Sequence, residues 1–382
     1  MPVLSALRMS HRPVLGFVSM GLVFGSFAAL LPVLKAQIGA DDAAFGLALL
    51  GSPLGLVITL WLAPLFDRRL AALSLPAAAL ATGLSMVVTG LSGSAVAFFA
   101  AMVLVGLCSG TLDIVSNSRV SELEAEHRAP LMNANHAMFS VAYAVSAVAT
   151  GIGREAGLPP VAIFAIMAGL IMLMGLRMRM QPADVPEFDA RHVGLPGGAV
   201  AICGGIVLVA FFVEAVVESW SALHVERTLG GRAAEGALGP AILGLTMAVG
   251  RFSGQIAAGR FTDQAIITTG SLMACFGAGL AAIAPIPFVA YLGFGLMGLG
   301  MSVVGPMALA LVGRIVPPSR RTVAVARVNV MGFGAFLFAP VVMGLVSDAY
   351  GLRVAFAVVG ALALIAPLLA AMLRGRWSPG AA

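Results

Sequence analysis

The sequence predicts an all-α integral membrane protein with twelve transmembrane helices in two pseudo-symmetric six-helix bundles. Of the 382 residues 60% are hydrophobic and only 10% are charged, whereas a soluble domain carries about 25% charged residues. Apolar stretches long enough to cross a bilayer recur along the whole chain. Polar features of the first half also return in the second half at a nearly constant offset. This composition excludes a soluble enzyme, a nucleic-acid-binding protein and a disordered chain.

Twelve apolar stretches of about 20 residues follow one another with short connections, and each can cross a bilayer as a helix. The first is expected to be retained rather than cleaved, because no small-residue cleavage site follows it. The predicted spans cover residues 13–34, 43–66, 71–91, 95–117, 131–152, 160–178, 197–220, 238–261, 265–284, 288–312, 323–346 and 353–373.

The placement of arginine predicts the orientation, because basic residues accumulate in cytoplasmic loops. With both termini in the cytoplasm, fifteen of the 22 basic residues lie on the inner side and five on the outer side. Arg119 is counted among the inner loop residues, and only Arg251 and Arg327 fall within spans. The predicted location is a bacterial inner membrane, crossed many times.

The chain divides near its middle at its longest polar stretch on the inner side. Residues 1–180 are predicted to form the N-terminal bundle, 181–196 a cytoplasmic loop, and 197–382 the C-terminal bundle. Asp67 at the end of the second span returns as Asp263 at the end of the eighth. A repeat of this kind predicts two bundles related by an axis along the membrane normal.

The second span ends in Ala63-Pro-Leu-Phe-Asp67-Arg68-Arg69. Together with the twelve spans and the repeat, this loop resembles that of the major facilitator superfamily, and the resemblance covers the whole chain. It departs from the family pattern at Ala63, where the family has glycine, and in the residues that follow Arg69. The resemblance implies a latch on the cytoplasmic side that is formed by Asp67, Arg68, Gly259 and Asp263. The alternative is a solvated loop that only sets topology.

Three further motifs resemble the bacterial fucose-permease-like branch of that family. They are Asp113-Ile-Val-Ser-Asn117 in the fourth span, the stretch from Arg128 to Ser140, and Glu218-Ser-Trp220 in the seventh span. The arginine and Gly-Pro signals of drug antiporters are absent from the fourth and fifth spans. The sugar-porter motif is absent after the sixth.

Titratable groups inside the spans are candidates for proton coupling, because a charge at the bilayer centre costs roughly 2.5–3.5 kcal/mol and is seldom kept without a role. Asp113 and His136 are expected at one depth if the fourth and fifth spans are neighbours. The alternative for this pair is a structural hydrogen-bond cluster. The proton-coupling candidates are Asp113, His136, Glu214 and Glu218.

Glu214 and Glu218 lie at i and i+4 in the seventh span, and Arg251 in the eighth is the predicted partner of Glu214. A buried structural ion pair is the alternative for Arg251. Packing is the alternative for Tyr143, and an interfacial anchor for Trp220. The substrate-binding candidates are Asn117, Asn133, Asn135, Tyr143, Glu214, Trp220, Arg251 and Asn329.

The sequence contains no phosphate-binding loop, no Ser/His/Asp set and no cluster with metal-ligand spacing, so no enzyme activity, cofactor or metal is predicted. The predicted function is secondary active transport of a small polar solute, a sugar among the candidates, by proton symport. The expected partners are the solute, protons and the lipid bilayer, with no nucleic acid, and the chain is expected to be a monomer. The alternatives are proton-coupled efflux of an amphipathic compound and a membrane receptor that does not transport.

Overall fold

A computed structural model describes residues 3–182, 197–257, 260–317 and 320–373, and all regular structure in these ranges is helical. Most of the predicted loop 181–196 lies outside the described residues. In the first half of the chain the helices are α1 (Val3–Met9), α2 (Pro13–Gln37), α3 (Asp42–Leu49), α4 (Gly51–Leu70), α5 (Ser74–Gly90), α6 (Ala95–His127), α7 (Met132–Glu155) and α8 (Pro160–Gly175). In the second half they are α9 (Gly197–Leu223), α10 (Ala233–Ala257), α11 (Asp263–Ile283), α12 (Pro287–Ile315), α13 (Arg321–Phe333), α14 (Ala335–Ala363) and α15 (Ile365–Met372).

Nine segments within the described ranges are long and apolar enough to cross a membrane, and α8 is a shorter apolar helix. Two of the nine, Asp42–Gly90 and Val323–Met372, contain 49 and 50 residues, more than twice the roughly 20 that one crossing needs. Their direction changes at residues with positive φ, Ala71 at 45° and Gly351 at 80°. The helical membrane fold is therefore confirmed, whereas the count of twelve stays a prediction.

The chain separates into two compact units. Unit 1 contains Met1–Pro186 and Gly231–Gly244, and unit 2 contains Glu187–Gly230 and Leu245–Ala382. The predicted bundle boundaries remain a prediction. The sequence did not predict that the two units share α10. The first half of this helix belongs to unit 1 and its second half to unit 2.

In unit 1 the main helix pairs are α2 with α7, α4 with α6, and α5 with α8. The helices α2 and α7 approach closely because Gly25 has no side chain. A Cβ at this position would lie only 2.1 Å from the carbonyl oxygen of Tyr143. The loop between α6 and α7 is short, yet α7 packs mainly on α2 and touches α6 little. The prediction that Asp113 and His136 lie at one depth required the fourth and fifth spans to pack as neighbours, and this condition is not met.

In unit 2, α9 packs against α12, α13 and α14, while α11 packs against α12 and α14. After Leu223, α9 continues as one π-helical turn, His224–Thr228. Because α9 contacts α12, α13, α14 and α15, it is held against several helices of the same unit.

Candidate functional site

Unit 2 contains an ion pair between two apolar helices. The Nη2 atom of Arg251 on α10 lies 3.7 Å from Oε1 of Glu214 on α9. The side chains are 35% and 24% exposed respectively, so neither group is sealed within the core. The predicted partners are therefore brought together, while their role in transport stays a prediction.

Close helix packing brings Arg251 to this position. A Cβ on the preceding residue, Gly250, would lie 1.9 Å from Oγ of Ser302 on α12. Because Gly250 has no side chain, α10 can approach α12, and the long Arg251 side chain then extends to α9. Glu218 lies one turn beyond Glu214 on the same face of α9 and is half-buried. The group therefore contains two carboxylates and one guanidinium.

Two other candidates in unit 2 differ in exposure. Asn329 on α13 is half-buried, as a residue that contacts a solute should be. Trp220 is fully buried, with 0% of its surface exposed. An indole in the core of unit 2 is not an interfacial anchor, so that alternative is wrong, and its burial gives no support to a substrate contact.

In unit 1, Asp113 and Asn117 form one hydrogen-bonded pair on α6. The Nδ2 atom of Asn117 donates to Oδ1 of Asp113 over 2.8 Å, and also to the Asp113 carbonyl. His136 on α7 instead packs edge-on against the ring of Phe17 on α2, with 4.8 Å between ring centroids. The hydrogen bonds between Asp113 and Asn117 therefore lie within α6, whereas His136 contacts α2.

The remaining candidates on α7 are divided between the core and the surface. Asn135 is fully buried, and its Nδ2 atom donates to Oγ of Ser10 and to the Leu131 carbonyl, each over 2.9 Å. These bonds tie the start of α7 to the chain before α2, which favours a structural role. Tyr143 is 4% exposed and packs in the core, whereas Asn133 is exposed.

The proposed latch contains an ion pair that was not predicted. Arg119 on α6 is fully buried, and its Nη2 atom lies 2.5 Å from Oδ1 of Asp67 on α4. Its Nη1 atom lies 2.9 Å from Oε1 of Glu122, and Nη2 also donates to Oγ of Ser74. The interpretation of Arg119 as a solvated loop residue is wrong, because α6 continues to His127. Arg68 is exposed.

The second copy of the latch has the same type of partner. Asp263 at the start of α11 forms an ion pair with Arg314 near the end of α12. Arg314 is 50% exposed, so this copy is more open to water than the first. Gly259 lies outside the described residues. The sequence offered one signal for both pairs, since each arginine follows its aspartate by nearly the same number of residues, 52 and 51.

The comparisons with known proteins agree with this architecture. Residues 200–381 match the family described as the Major Facilitator Superfamily. An uncharacterized MFS-type transporter of Yersinia pestis is 29% identical over 374 residues, which cover 94% of this chain and 94% of the relative.

Two solved structures share the fold. A bacterial homolog of the human lysosomal transporter Spinster, inward-facing and occupied, is similar with a TM-score of 0.79 and 17% identity, over 98% of each chain. A D-xylose-proton symporter is similar with a TM-score of 0.75 and 17% identity, over 99% of each chain. At these identities the likeness concerns the fold.

The candidate spans and the relatives that are named as transporters together place the chain in the class of multi-pass membrane transporters. The family match over residues 200–381 and the MFS-type relative agree with the predicted major facilitator superfamily, whose members are transporters and not enzymes. The predicted family and fold class are confirmed, and the likeness to the fucose-permease-like branch stays a prediction.

Proposed function

We propose that this transporter takes up a small polar solute, a sugar among the candidates, by proton symport through alternating access. The observation that carries this proposal is the partly exposed pair of Glu214 and Arg251 inside apolar helices. Charged side chains are costly within a bilayer, face the bundle interior or a water-filled cavity, and often mark the pathway of a solute or an ion. The fold that the chain shares with a D-xylose-proton symporter supports the same proposal.

The proposed roles follow from the chemistry of the two groups. The guanidinium of Arg251 is a planar donor that lies 3.7 Å from the carboxyl group of Glu214. A solute that hydrogen-bonds to either group competes with the pair, and protonation of the carboxylate weakens the attraction in the same way. Solute binding and proton binding therefore favour each other, as symport requires.

Asp113 is the proposed second proton site. Its carboxylate is half-buried on α6 and accepts a hydrogen bond from Asn117. A proton that binds this carboxylate can therefore displace the amide of Asn117 from it. The inner membrane location, the cytoplasmic termini, the monomeric state and the latch roles of Asp67, Arg68, Gly259 and Asp263 form part of the same proposal.

Uptake of labelled solutes into proteoliposomes with an alkaline interior tests this function. The wild-type protein should accumulate one polar solute, and a protonophore should abolish accumulation. Glu214→Gln should retain exchange at equilibrium but lose accumulation, whereas Glu126→Gln, which alters an exposed carboxylate, should behave as wild type. Unchanged accumulation in Asp113→Asn would remove Asp113 from the proton pathway. Accumulation only under an acidic interior would instead establish efflux.

A further inference from the structure

Three phenylalanine rings from α9, α13 and α14 contact one another in unit 2. The ring centroids are 5.7 Å apart for Phe211 and Phe333, 6.1 Å for Phe211 and Phe336, and 6.2 Å for Phe333 and Phe336. These distances lie in the range of favourable aromatic pairs. All three side chains are partly exposed, Phe333 by 37%, so the group is not sealed within the core.

The rings lie beside the polar candidates of the same unit. Phe211 precedes Glu214 by three residues on α9, which places the two side chains on one face, one turn apart. Phe333 follows Asn329 by four residues on α13, so these two also share a face. Because Phe211 contacts Phe333, the two rings form one aromatic surface, with Glu214 beside it on α9 and Asn329 beside it on α13.

Close backbone packing fixes the position of Phe211. A Cβ at Gly332 on α13 would lie 2.4 Å from Cγ1 of Val207 and 3.3 Å from Cδ2 of Phe211. A Cβ at Gly305 on α12 would lie 3.7 Å from Cε1 of Phe211. The ring is therefore held between two helices that approach it with glycine, and it presents its remaining surface with little freedom to move.

The charges near these rings are unequal in number. Glu214 and Glu218 supply two carboxylates on one face of α9, and Arg251 supplies one guanidinium 3.7 Å from Glu214. When both carboxyl groups are ionised, these three side chains carry a formal excess of one negative charge, which repels an anion and attracts hydrogen-bond donors, either hydroxyl groups or an ammonium group. An aromatic surface also attracts a cation.

Building on the proposed transport function, we propose that the solute carries a planar unsaturated ring that packs on Phe211, Phe333 and Phe336. Its hydroxyl or ammonium donors then reach Glu214, and anions of the same shape are rejected. Rings stack on rings more favourably than aliphatic chains do, which distinguishes this solute from a plain sugar or an alkyl compound.

Binding to the purified full-length chain tests the ring and the charge separately. Phenyl β-D-glucoside carries an aromatic ring that methyl β-D-glucoside lacks. Phenethylamine is a cation and phenylacetate is an anion, and both carry the same aromatic ring. The thermal unfolding midpoint should rise more with phenyl glucoside than with methyl glucoside, and more with phenethylamine than with phenylacetate. The proposal would be overturned if neither phenethylamine nor phenyl glucoside raised the unfolding midpoint. It would also be overturned if phenylacetate bound more strongly than phenethylamine.

Three variants locate the effect. Phe333→Leu and Phe211→Leu keep apolar volume but remove the ring, and each should weaken binding of phenyl glucoside about tenfold, which corresponds to one aromatic pair. Phe338→Leu is the matched control, because Phe338 lies on α14 and is 56% exposed. Equal binding by all three variants would overturn the aromatic site. Binding without transport would contradict the proposed function instead and leave this site intact.

Discussion

Arg119 and Asp67 form an ion pair that the second half of the chain repeats with Arg314 and Asp263. In both cases the arginine lies near the end of a long helix, 52 or 51 residues after its aspartate. The two copies differ in burial, since Arg119 is fully buried and Arg314 is 50% exposed. The sequence repeat therefore corresponds to a repeated ion pair, whose arginine is buried in the first copy and half-exposed in the second.

Asp67→Asn should destabilise the protein more than Asp263→Asn does. Among the residues that the structure describes, removing Asp67 leaves the buried guanidinium with Glu122 as its remaining carboxylate partner, and breaking a buried pair costs about 3 kcal/mol. The exposed pair contributes less than about 1 kcal/mol. Unfolding by SDS in mixed micelles measures both free energies, and equal losses would contradict the difference in burial.

Glu214 and Arg251 should be energetically coupled. Glu214→Gln and Arg251→Gln should each reduce transport, and the double variant should lose less than the sum of the two single losses, because either substitution already breaks the pair. The coupling is measured from transport rates of the four proteins at equal abundance. The charge-reversed variant Glu214→Arg with Arg251→Glu should recover protein that either single change loses, and additive effects would show that the pair is incidental.

The first half of α10 is held on unit 1 by small residues. A Cβ at Gly151 on α7 would lie 2.6 Å from Cβ of Ala237, and Ala241 belongs to the same buried cluster. Gly151→Val should therefore force the two helices apart. A cysteine at Ala241, in a protein whose native cysteines are replaced by alanine, should then react several times faster with a maleimide.

Gly153→Val is the control for this experiment. It adds the same side chain on the same helix, but the nearest atom to a Cβ there is 3.4 Å away, an ordinary contact. Labelling at Ala241→Cys should stay at the wild-type rate in this background. Equal acceleration by both substitutions would show that the effect is general loosening of α7.

Lys35, the only lysine in the chain, should resist amine-reactive reagents in the folded protein. Its side chain is 10% exposed, with Nζ 2.9 Å from Oδ1 of Asp42 and 2.7 Å from the Ala40 carbonyl. Mass spectrometry after brief acylation should find Lys35 unmodified, and denaturation should make it reactive. Asp42→Asn should increase modification in the folded state, and rapid labelling of the wild type would refute the buried pair.

The sequence was most informative about features that depend on the type of a single residue, such as a charge within an apolar stretch. Charges within apolar stretches were enough to select Glu214 and Arg251 and to predict their pairing, because few ionisable groups occur there. Burial depends on tertiary packing, so the sequence could not show that Trp220 and Asn135 are fully buried.

Helix ends and helix partners were predicted less well. Hydropathy placed the end of the fourth span at residue 117, but α6 continues to His127 as a polar helix and carries Arg119 to Asp67. Adjacency along the chain suggested that Asp113 and His136 lie side by side. Glycine at positions 21 and 25 instead brings α2 against α7, and His136 packs on Phe17.

Proton movement that is coupled to solute movement tests the central claim most directly. Adding a transported solute to de-energised proteoliposomes should make the weakly buffered outer medium more alkaline, because each solute molecule enters together with a proton. Glu214→Gln should abolish this alkalinisation, while Glu126→Gln should preserve it. Solute entry in the wild-type protein without any pH change would contradict proton symport.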